Sequence, residues 1–516
     1  MTGDPRDVGA DDDMTYAAAA ITAAIDGAEP VEAPPLDGDL ATEWQTDLGN
    51  ARRLVARHAR DLRYVREIGW LAWDGKRWRE DPGEPLRRAH QTAEAMTTEA
   101  LEIKAAGPRQ GEAAEAHDAR WKMHYAWAVS SSNLGRASSM INSAEPYMAL
   151  DREDLDQHPM RLNVANGTLH LGEMRADGYV PVQCMPHRRS DYATLLADVS
   201  YDRAARAPRW ERFVAEVMPD ARTRGWVQRW LGYCLTGDTS EQCVAIFEGK
   251  GANGKSTMVD VVARMLGSYA ATTPIETFLH NERRSGSGPS PDLARLPGVR
   301  MVRTSEPEPG ARLSESVVKQ WTGGERFAAR HLHKGFFEFK PAGKLTMSVN
   351  IRPVIVGKDH GIRRRIHLVP FRQQFPRTPG LVETLLAERA GVLNWLLDGY
   401  RAWREDGIGT APEIAEATRG YFDEMDPIGS FVADCCDTGG QLSDFQSDIT
   451  AAYQRWCIQM SEDPKNPTMF GRRLSDMGFG KAKSNGLTKR VGLKVREEWR
   501  GSGASVPSRG RQEDDA

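Results

Sequence analysis

Cysteine is scarce in this chain, with six in 516 residues, and no two of them stand in a C-x-x-C pair. That spacing excludes a zinc ribbon or a disulfide scaffold, and Cys184, Cys234, Cys243, Cys435, Cys436 and Cys457 read as reduced thiols. The vicinal pair Cys435-Cys436 reads as small, buried apolar surface. Excess positive charge is also missing. With 68 Lys and Arg against 72 Asp and Glu the net charge is −4, so any contact with nucleic acid must come from local patches. No long apolar run is present either. The Ala-rich stretch Ala17 to Ile25 is short and follows Asp11-Asp12-Asp13 rather than basic residues, so neither a signal peptide nor a membrane span is expected. A soluble, cytoplasmic protein follows from these readings. Residues 1–41, acidic, Ala/Pro-rich and nearly free of aromatics, read as a disordered tail.

What is present begins with Gly249-Lys250-Gly251-Ala252-Asn253-Gly254-Lys255-Ser256, which fits the phosphate-binding pattern G-x-x-x-x-G-K-[ST]. The flanks fit too. Val244 to Phe247 reads as a buried strand before the loop, and Met258, Val261, Val262, Met265 and Leu266 repeat at helical spacing after it. Such a loop curls backbone N–H groups around phosphates at a helix N-terminus. Lys255 then reaches the β- and γ-phosphates and the Ser256 hydroxyl ligates Mg²⁺.

Around this loop the sequence divides into about three domains. Residues 42–240 read as mainly helical with small hairpins, one at Trp70 to Trp78 around Asp74-Gly75 and one at Arg161 to Leu171 turning on Asn166-Gly167. The three tryptophans of the first hairpin invite base stacking, but packing on neighbouring helices is the favoured reading. Residues 241–375 read as the α/β motor, 376–413 as a helical connection and 414–499 as a compact C-terminal domain. Residues 500–516 read as a second disordered tail. From Gly471 to Arg496 eight basic residues accompany one acidic residue. A helix followed by this basic hairpin suggests a winged helix that sets Arg472, Arg473, Lys481, Lys483, Lys489 and Arg490 against DNA phosphates, with a solvated basic face as the plain alternative.

The motor needs an acid and a polar sensor beyond the loop. Val299 to Glu306 reads as a strand ending on a carboxylate suited to holding Mg²⁺ through water and polarising the attacking water, and Glu308 is near enough to share that work. Leu345 to Asn350 is a second strand ending in an amide that could orient the lytic water. Thr322-Gly323-Gly324-Glu325, Arg330 to Gly335 and the basic run Gly361-Ile362-Arg363-Arg364-Arg365-Ile366 complete the set.

In this order the motifs resemble superfamily 3 helicases, particularly the helicase half of phage and plasmid primase-helicases and of the poxvirus primase-helicase. The likeness rests on Gly249 to Thr257, Thr273 to Phe278, Asp292 to Leu296, Ser305-Glu306, Thr322 to Glu325, Asn350 with Pro353, and Arg364-Arg365 before Pro370-Phe371. Upstream, Asp47 to Ala51 and Asn166 to Leu169 are similar to the helical domain that precedes the motor, so the likeness spans roughly residues 42 to 499. It departs where Arg300 and Arg303 interrupt the strand before Glu306.

The resemblance implies an α/β, AAA+-like P-loop motor with an N-terminal, mainly helical domain and a C-terminal winged helix. It implies ATP and Mg²⁺ bound by Gly249, Gly251, Asn253, Gly254, Lys255, Ser256 and Thr257, Glu306 as catalytic acid and Asn350 as sensor. Arg364 or Arg365 is implied as the finger that reaches the neighbouring subunit's γ-phosphate. Arg330, His331, His333 and Lys334 are implied near the tip of a DNA-gripping hairpin. The function so implied is a replicative DNA helicase of a phage or mobile element, in the host cytoplasm. It would be a homo-hexameric ring translocating 3′ to 5′ on single-stranded DNA and opening forked duplex. No primase-polymerase domain is expected before the helical region, so priming would fall to a separate primase. The alternative is a nucleotide-switched, DNA-binding loader or scaffold that separates no strands.

Overall fold

The computed structural model describes residues 40–175, 178–280, 291–330, 335–357, 360–460 and 462–500. The chain forms two compact units, Met1–Gln157 with His187–Thr194, and His158–Pro186 with Leu195–Ala516. The expected boundary at 240/241 is therefore displaced. Residues 158–186 and 195–240 belong with the motor, because the strands Arg161–Val164 and Gly167–His170 and the tryptophan-rich helices share its core.

The first unit packs the helices Asp47–His58, Glu84–Ala106, Ala114–Ser131 and Leu134–Ala144 with an antiparallel sheet of Leu62–Val65, Gly69–Trp73 and Trp78–Glu80. Thr46 caps the first helix by accepting from Gly49 N, and Pro85 sits in the first turn of the second, where its missing N–H costs nothing. Trp73 pairs across strands with Trp78, whose Nε1 donates to Arg189 O at 2.9 Å. Trp78 is buried, so this aromatic hairpin is core and not a stacking platform.

The second unit is organised by a five-stranded sheet. In spatial order its strands are Ala270–Thr273, Met301–Thr304, Lys344–Val349, Val244–Glu248 and Ile366–Pro370, and every pairing is parallel. The inner strand Val244–Glu248 reads as a continuous apolar run, Val244 to Phe247, because both faces are covered. Ala245 and Phe247 face one core with Met258, Val262 and Trp230, while Val244 and Ile246 face the other with Leu345, Met347 and Trp321. Trp210, Trp226 and Trp230 are fully buried, and Trp226 stacks on Trp230 at 5.8 Å. The helix Arg389–Asp406 contributes Val392, Leu396, Tyr400 and Trp403 to the first core. The segment expected as a helical connection is thus structural wall.

A hairpin of Phe327–Arg330 and Phe336–Phe339 projects from the second core, rooted by Phe327, Phe337 and Phe339 against Trp321. At the C-terminus the helices Pro427–Cys435, Gln446–Met460 and Pro467–Asp476 pack on a sheet ordered Cys436–Phe445, Leu487–Val495, Gly480–Ser484, with a core of their own that includes Cys435 and Cys436. That core begins at Ile428, whereas Ile414, Tyr421 and Phe422 fill the motor cores, so the module starts about a dozen residues later than the expected 414. Among the described residues no helix is long and apolar enough to cross a membrane.

His367, on the edge strand of the sheet, stands 5.2 Å from the Trp226 ring. Burial lowers its pKa from the ordinary 6.5 to about 4. The folded state thus resists a proton that the unfolded chain accepts, and stability is lost as pH falls from 6.5 towards 4. Chemical denaturation across that window should show a loss for the wild type that is shallower for His367→Phe; parallel curves would exclude His367 as a source.

Candidate nucleotide site

A parallel sheet delivers all its strand ends to one edge, and the expected loop residues Gly249 to Thr257 meet Glu306 and Asn350 there. The strand Val244–Glu248 runs into the loop 249–254, which opens the helix Lys255–Leu266. Within the loop Gly251, Ala252 and Gly254 have φ of 93°, 51° and 77°, and left-handed residues in a turn are the backbone pattern in which peptide N–H groups converge on one concave side. Gly249 has no room for a side chain, since a Cβ would lie 1.8 Å from Asn253 Nδ2. Outside anchors hold the curl. Phe375 N donates to Ala252 O at 2.7 Å, and Gly249 N donates to Val349 O at 3.2 Å.

Lys255 is buried at the centre of this edge. Its Nζ donates to Val349 O at 2.6 Å and to Asn350 Oδ1 at 3.0 Å, with Gly249 O at 3.5 Å. Desolvation lowers its pKa, and the charges of Glu306 and Glu248 oppose that shift. Asn350 in turn donates from its backbone N to Glu306 Oε1 at 2.8 Å and from Nδ2 to Glu306 Oε2 at 2.9 Å. Lys255, Asn350 and Glu306 therefore form one connected group drawn from three elements. The pairing of Thr304 with Met347 brings the carboxylate beside the amide, and Arg303 does not disturb it. Arg303 turns aside to Asp260 Oδ1 at 3.3 Å and Thr272 Oγ1 at 3.2 Å. Arg300 is buried below the strand, over the Tyr269 ring at 4.5 Å, where it bonds the carbonyls of Leu235, His158 and Arg161. Glu308 is exposed further along the loop.

Ser256 and Thr257 open onto a cavity of about 410 Å³ that is also lined by Asp260, Arg303, Thr304 and Ser348. Among the described residues, the hydroxyls of Thr304 and Ser348 and the amide Nδ2 of Asn253 are buried without a hydrogen-bond partner. Orphaned polar atoms beside a buried ammonium and a left-handed loop fit a hydrated cation and a polyphosphate. A second cavity of about 540 Å³ adjoins the loop, with Phe213, Val217, Phe375 and Pro379 among its walls. Sequence reasoning missed Thr304 and Ser348, whose positions on strands marked them only as β residues. It also missed Arg352, which ties Glu248 (2.5 Å) to Glu424 (2.7 Å) beside the site.

The arginines expected to act on a neighbouring nucleotide are at the other edge of the sheet. Arg364 and Arg365 precede the strand Ile366–Pro370, whose parallel pairing with the loop strand separates them from the loop by about 16 Å of β-structure at ~3.3 Å per residue. Arg364 is exposed and donates to Gln242 Oε1 at 2.6 Å. Arg365 is buried and spans Thr322 Oγ1 at 3.0 Å, Gly361 O at 2.6 Å and Gln242 Oε1 at 3.4 Å.

The residues expected on DNA are dispersed. Arg330 lies in the hairpin with its guanidinium 5.2 Å from the Phe336 ring, and His331, His333 and Lys334 lie outside the described residues. In the C-terminal module Arg472, Lys481 and Lys483 are exposed, and Lys489 rests on the Phe445 ring at 4.6 Å. Two expectations are corrected. Arg490 is fully buried, donating to Gln446 Oε1 (2.6 Å), Ser475 Oγ (2.8 Å), Phe479 O (3.0 Å) and Gly471 O (2.6 Å), and is a structural rivet. Arg473 is paired with Asp426, which also caps the helix Pro427–Cys435, so its charge is satisfied internally.

Comparison with known proteins adds a family likeness. Residues 51–219 match the family model described as D5 N terminal like. The chain is 28% identical over 242 residues to a protein of Acanthamoeba polyphaga mimivirus provisionally named a helicase, covering 43% of this chain and 25% of that protein. It is 33% identical over 172 residues to one of Frog virus 3 (isolate Goorha), also provisionally named a helicase, covering 33% of this chain and 18% of the relative. The primase D5 of Fowlpox virus (strain NVSL) is 29% identical over 175 residues, covering 33% of this chain and 21% of that primase. The chain therefore spans about a quarter or less of the length of these curated relatives. Among solved structures, the apo NrS-1 C-terminal region covers 62% of this chain and 82% of its own at a TM-score of 0.39 and 13% identity. The chain is thus similar to viral proteins named as helicases and primases, and it has a mixed α/β fold with a parallel sheet.

The buried Arg490 and the ion-paired Arg473 lead to a direct test of the basic face. Lys481→Ala with Lys483→Ala should leave the melting temperature unchanged and reduce the slope of log affinity against log salt for single-stranded DNA by up to about 1.4. Arg490→Ala should destabilise the module by about 3 kcal/mol or more, because it leaves Gln446 and two carbonyls unpaired. An unchanged salt slope in the double lysine variant would leave these lysines as solvated surface.

Proposed function

We propose that this chain is the ATP-driven motor part of a replicative DNA helicase of the primase-helicase type, built on a P-loop of the superfamily 3 kind. The observation that carries this reading is the connected group Lys255–Asn350–Glu306 at the mouth of a left-handed glycine loop. Its parts correspond to a phosphate-binding cation, a water-orienting amide and an acid. Lys255 exchanges its carbonyl partners for the β- and γ-phosphate oxygens of ATP. Ser256 and Glu306 would hold a Mg²⁺ ion, which would supply charge neutralisation on the phosphoryl oxygens. Glu306 accepts a proton from the attacking water, which Asn350 orients. Likeness to viral proteins named as helicases and primases supports a role in DNA replication, and the exposed Arg472, Lys481 and Lys483 on a winged-helix-like module support contact with DNA.

Arg364 is the arginine that completes a neighbour's site. It is exposed and too far from its own loop to act within one subunit, so hydrolysis requires a ring, taken here as a homo-hexamer on single-stranded DNA with a separate primase. One observation favours the second reading, a nucleotide-switched loader: Arg490 is buried and Arg473 is paired with Asp426, which leaves fewer cations for DNA. A loader hydrolyses ATP without opening a forked duplex, so a strand-separation assay distinguishes the two.

An arginine finger is worth about 10³–10⁵ in rate, so Arg364→Ala and Lys255→Ala proteins should each be nearly inactive as ATPases. Mixed, they should regain activity, because some interfaces then pair an intact loop with an intact arginine. Subunits that demonstrably exchange without regaining activity at any ratio would contradict the action of Arg364 in trans. Glu306→Gln should bind ATP as the wild type does and hydrolyse it far more slowly; normal turnover would move the acid to Glu308.

A further inference from the structure

Arg365 has no place in the chemistry above, yet its guanidinium joins three separate pieces of the motor. Its Nε donates to Thr322 Oγ1, at the C-terminal end of the helix Glu315–Gly323, five residues before the hairpin strand Phe327–Arg330 begins. Its Nη1 holds Gly361 O within its own turn. Its Nη2 reaches Gln242 Oε1 at 3.4 Å, the same oxygen that Arg364 takes at 2.6 Å. Gln242 has φ of 51°, a strained conformation for a residue with a side chain, and stands two residues before the strand that ends in the phosphate loop. The thread from the exposed arginine to the hairpin root is thus continuous.

We propose that Gln242, Arg365 and Thr322 form a positioning relay that couples engagement of Arg364 with a neighbour's nucleotide to movement of the paired strands Phe327–Arg330 and Phe336–Phe339. The relay rests on the reading of Arg364 given above. When a neighbouring phosphate draws Arg364 away, Gln242 Oε1 loses its short bond and becomes available to Arg365, whose present contact with it is long. Arg365 can close on Gln242 only by easing its hold on Thr322. Because Thr322 Oγ1 also donates to Val318 O at 2.8 Å, release lets the hydroxyl settle fully on its own helix, and the hairpin root loses an outside tether. Such an exchange of one acceptor between two donors supplies the discrete pair of arrangements that long-range coupling requires.

The test uses the full chain and Thr322→Val, which keeps the shape of the side chain and removes the acceptor, with Thr322→Ser as the rescue. ATPase with and without single-stranded DNA, strand separation per ATP hydrolysed, and hydrogen exchange at residues 327–330 and 336–339 with and without a non-hydrolysable ATP analogue are read together. Thr322→Val should keep basal ATPase within about twofold while DNA stimulation and strand separation per ATP fall about fivefold or more. Its hairpin exchange should no longer respond to the analogue, and Thr322→Ser should restore all three. Wild-type stimulation and wild-type hairpin response in Thr322→Val would overturn the relay, as would loss of basal ATPase in both variants. If Thr322→Val does not fold, Gln242→Glu decides: a full charge should hold both arginines, slowing hydrolysis with ATP affinity unchanged, and unaltered hydrolysis would overturn the relay. A wild-type chain without ATPase would instead refute the function on which the relay rests, and it would do so before any variant is made.

Discussion

The Lys255 ammonium is buried at the C-terminal edge of a parallel sheet, where its hydrogen bonds go to the Val349 carbonyl and the Asn350 amide oxygen. Among the described residues no carboxylate makes an ion pair with it. Removing a charge from water costs several kcal/mol, and neutral carbonyls offset only part of that. The site therefore carries a standing preference for an anion, and the left-handed backbone at Gly251, Ala252 and Gly254 presents the same demand. The orphaned hydroxyls of Thr304 and Ser348 add acceptors suited to the water around a cation. Much else follows from keeping this cation in place. Asn350 is fixed because it meets Lys255 on one side and Glu306 on the other. Phe375 is drawn back to Ala252 to hold the loop.

The sheet's parallel order imposes a second consequence. All strand C-termini fall on the nucleotide edge, so residues that begin strands are delivered to the other edge, and Arg364, Arg365, Lys344, Arg300 and Gln242 gather there. Lys344, buried on that edge, is held by the carbonyls of Thr236, Asp238 and Ala342, and burial pulls its pKa down to about 7. This edge is a scaffold for turns. Arg364 stands out on it because its side chain is exposed.

Much of this was legible in sequence where a local pattern has one physical meaning. The glycine loop, the continuous apolar strand before it and the amphipathic helix after it each announce themselves, as do Glu306 and Asn350 at strand ends. Burial of the long cations was not legible. Arg490 sits in a run of exposed lysines, and only the packing of Gln446, Ser475 and Gly471 around it reveals a core residue; Arg473 is likewise claimed by Asp426, 47 residues away. The same applies to the choice between Arg364 and Arg365, adjacent in sequence and opposite in exposure. Domain limits failed for a related reason, since Trp210, Trp226 and Trp230 look like members of a separate helical domain until the sheet they cover is seen.

The most direct measurement is thermal unfolding of the wild type and Lys255→Met with and without ATP and Mg²⁺. Without nucleotide, Lys255→Met should melt at or above the wild-type temperature, because it removes a buried charge that carbonyls only partly satisfy. With nucleotide at a hundredfold excess over its Kd, the wild type should gain about 2.7 kcal/mol, and the variant should gain nothing. Equal stabilisation of both proteins by ATP would contradict the account, because the nucleotide would then be bound without the one cation around which this edge of the sheet is arranged.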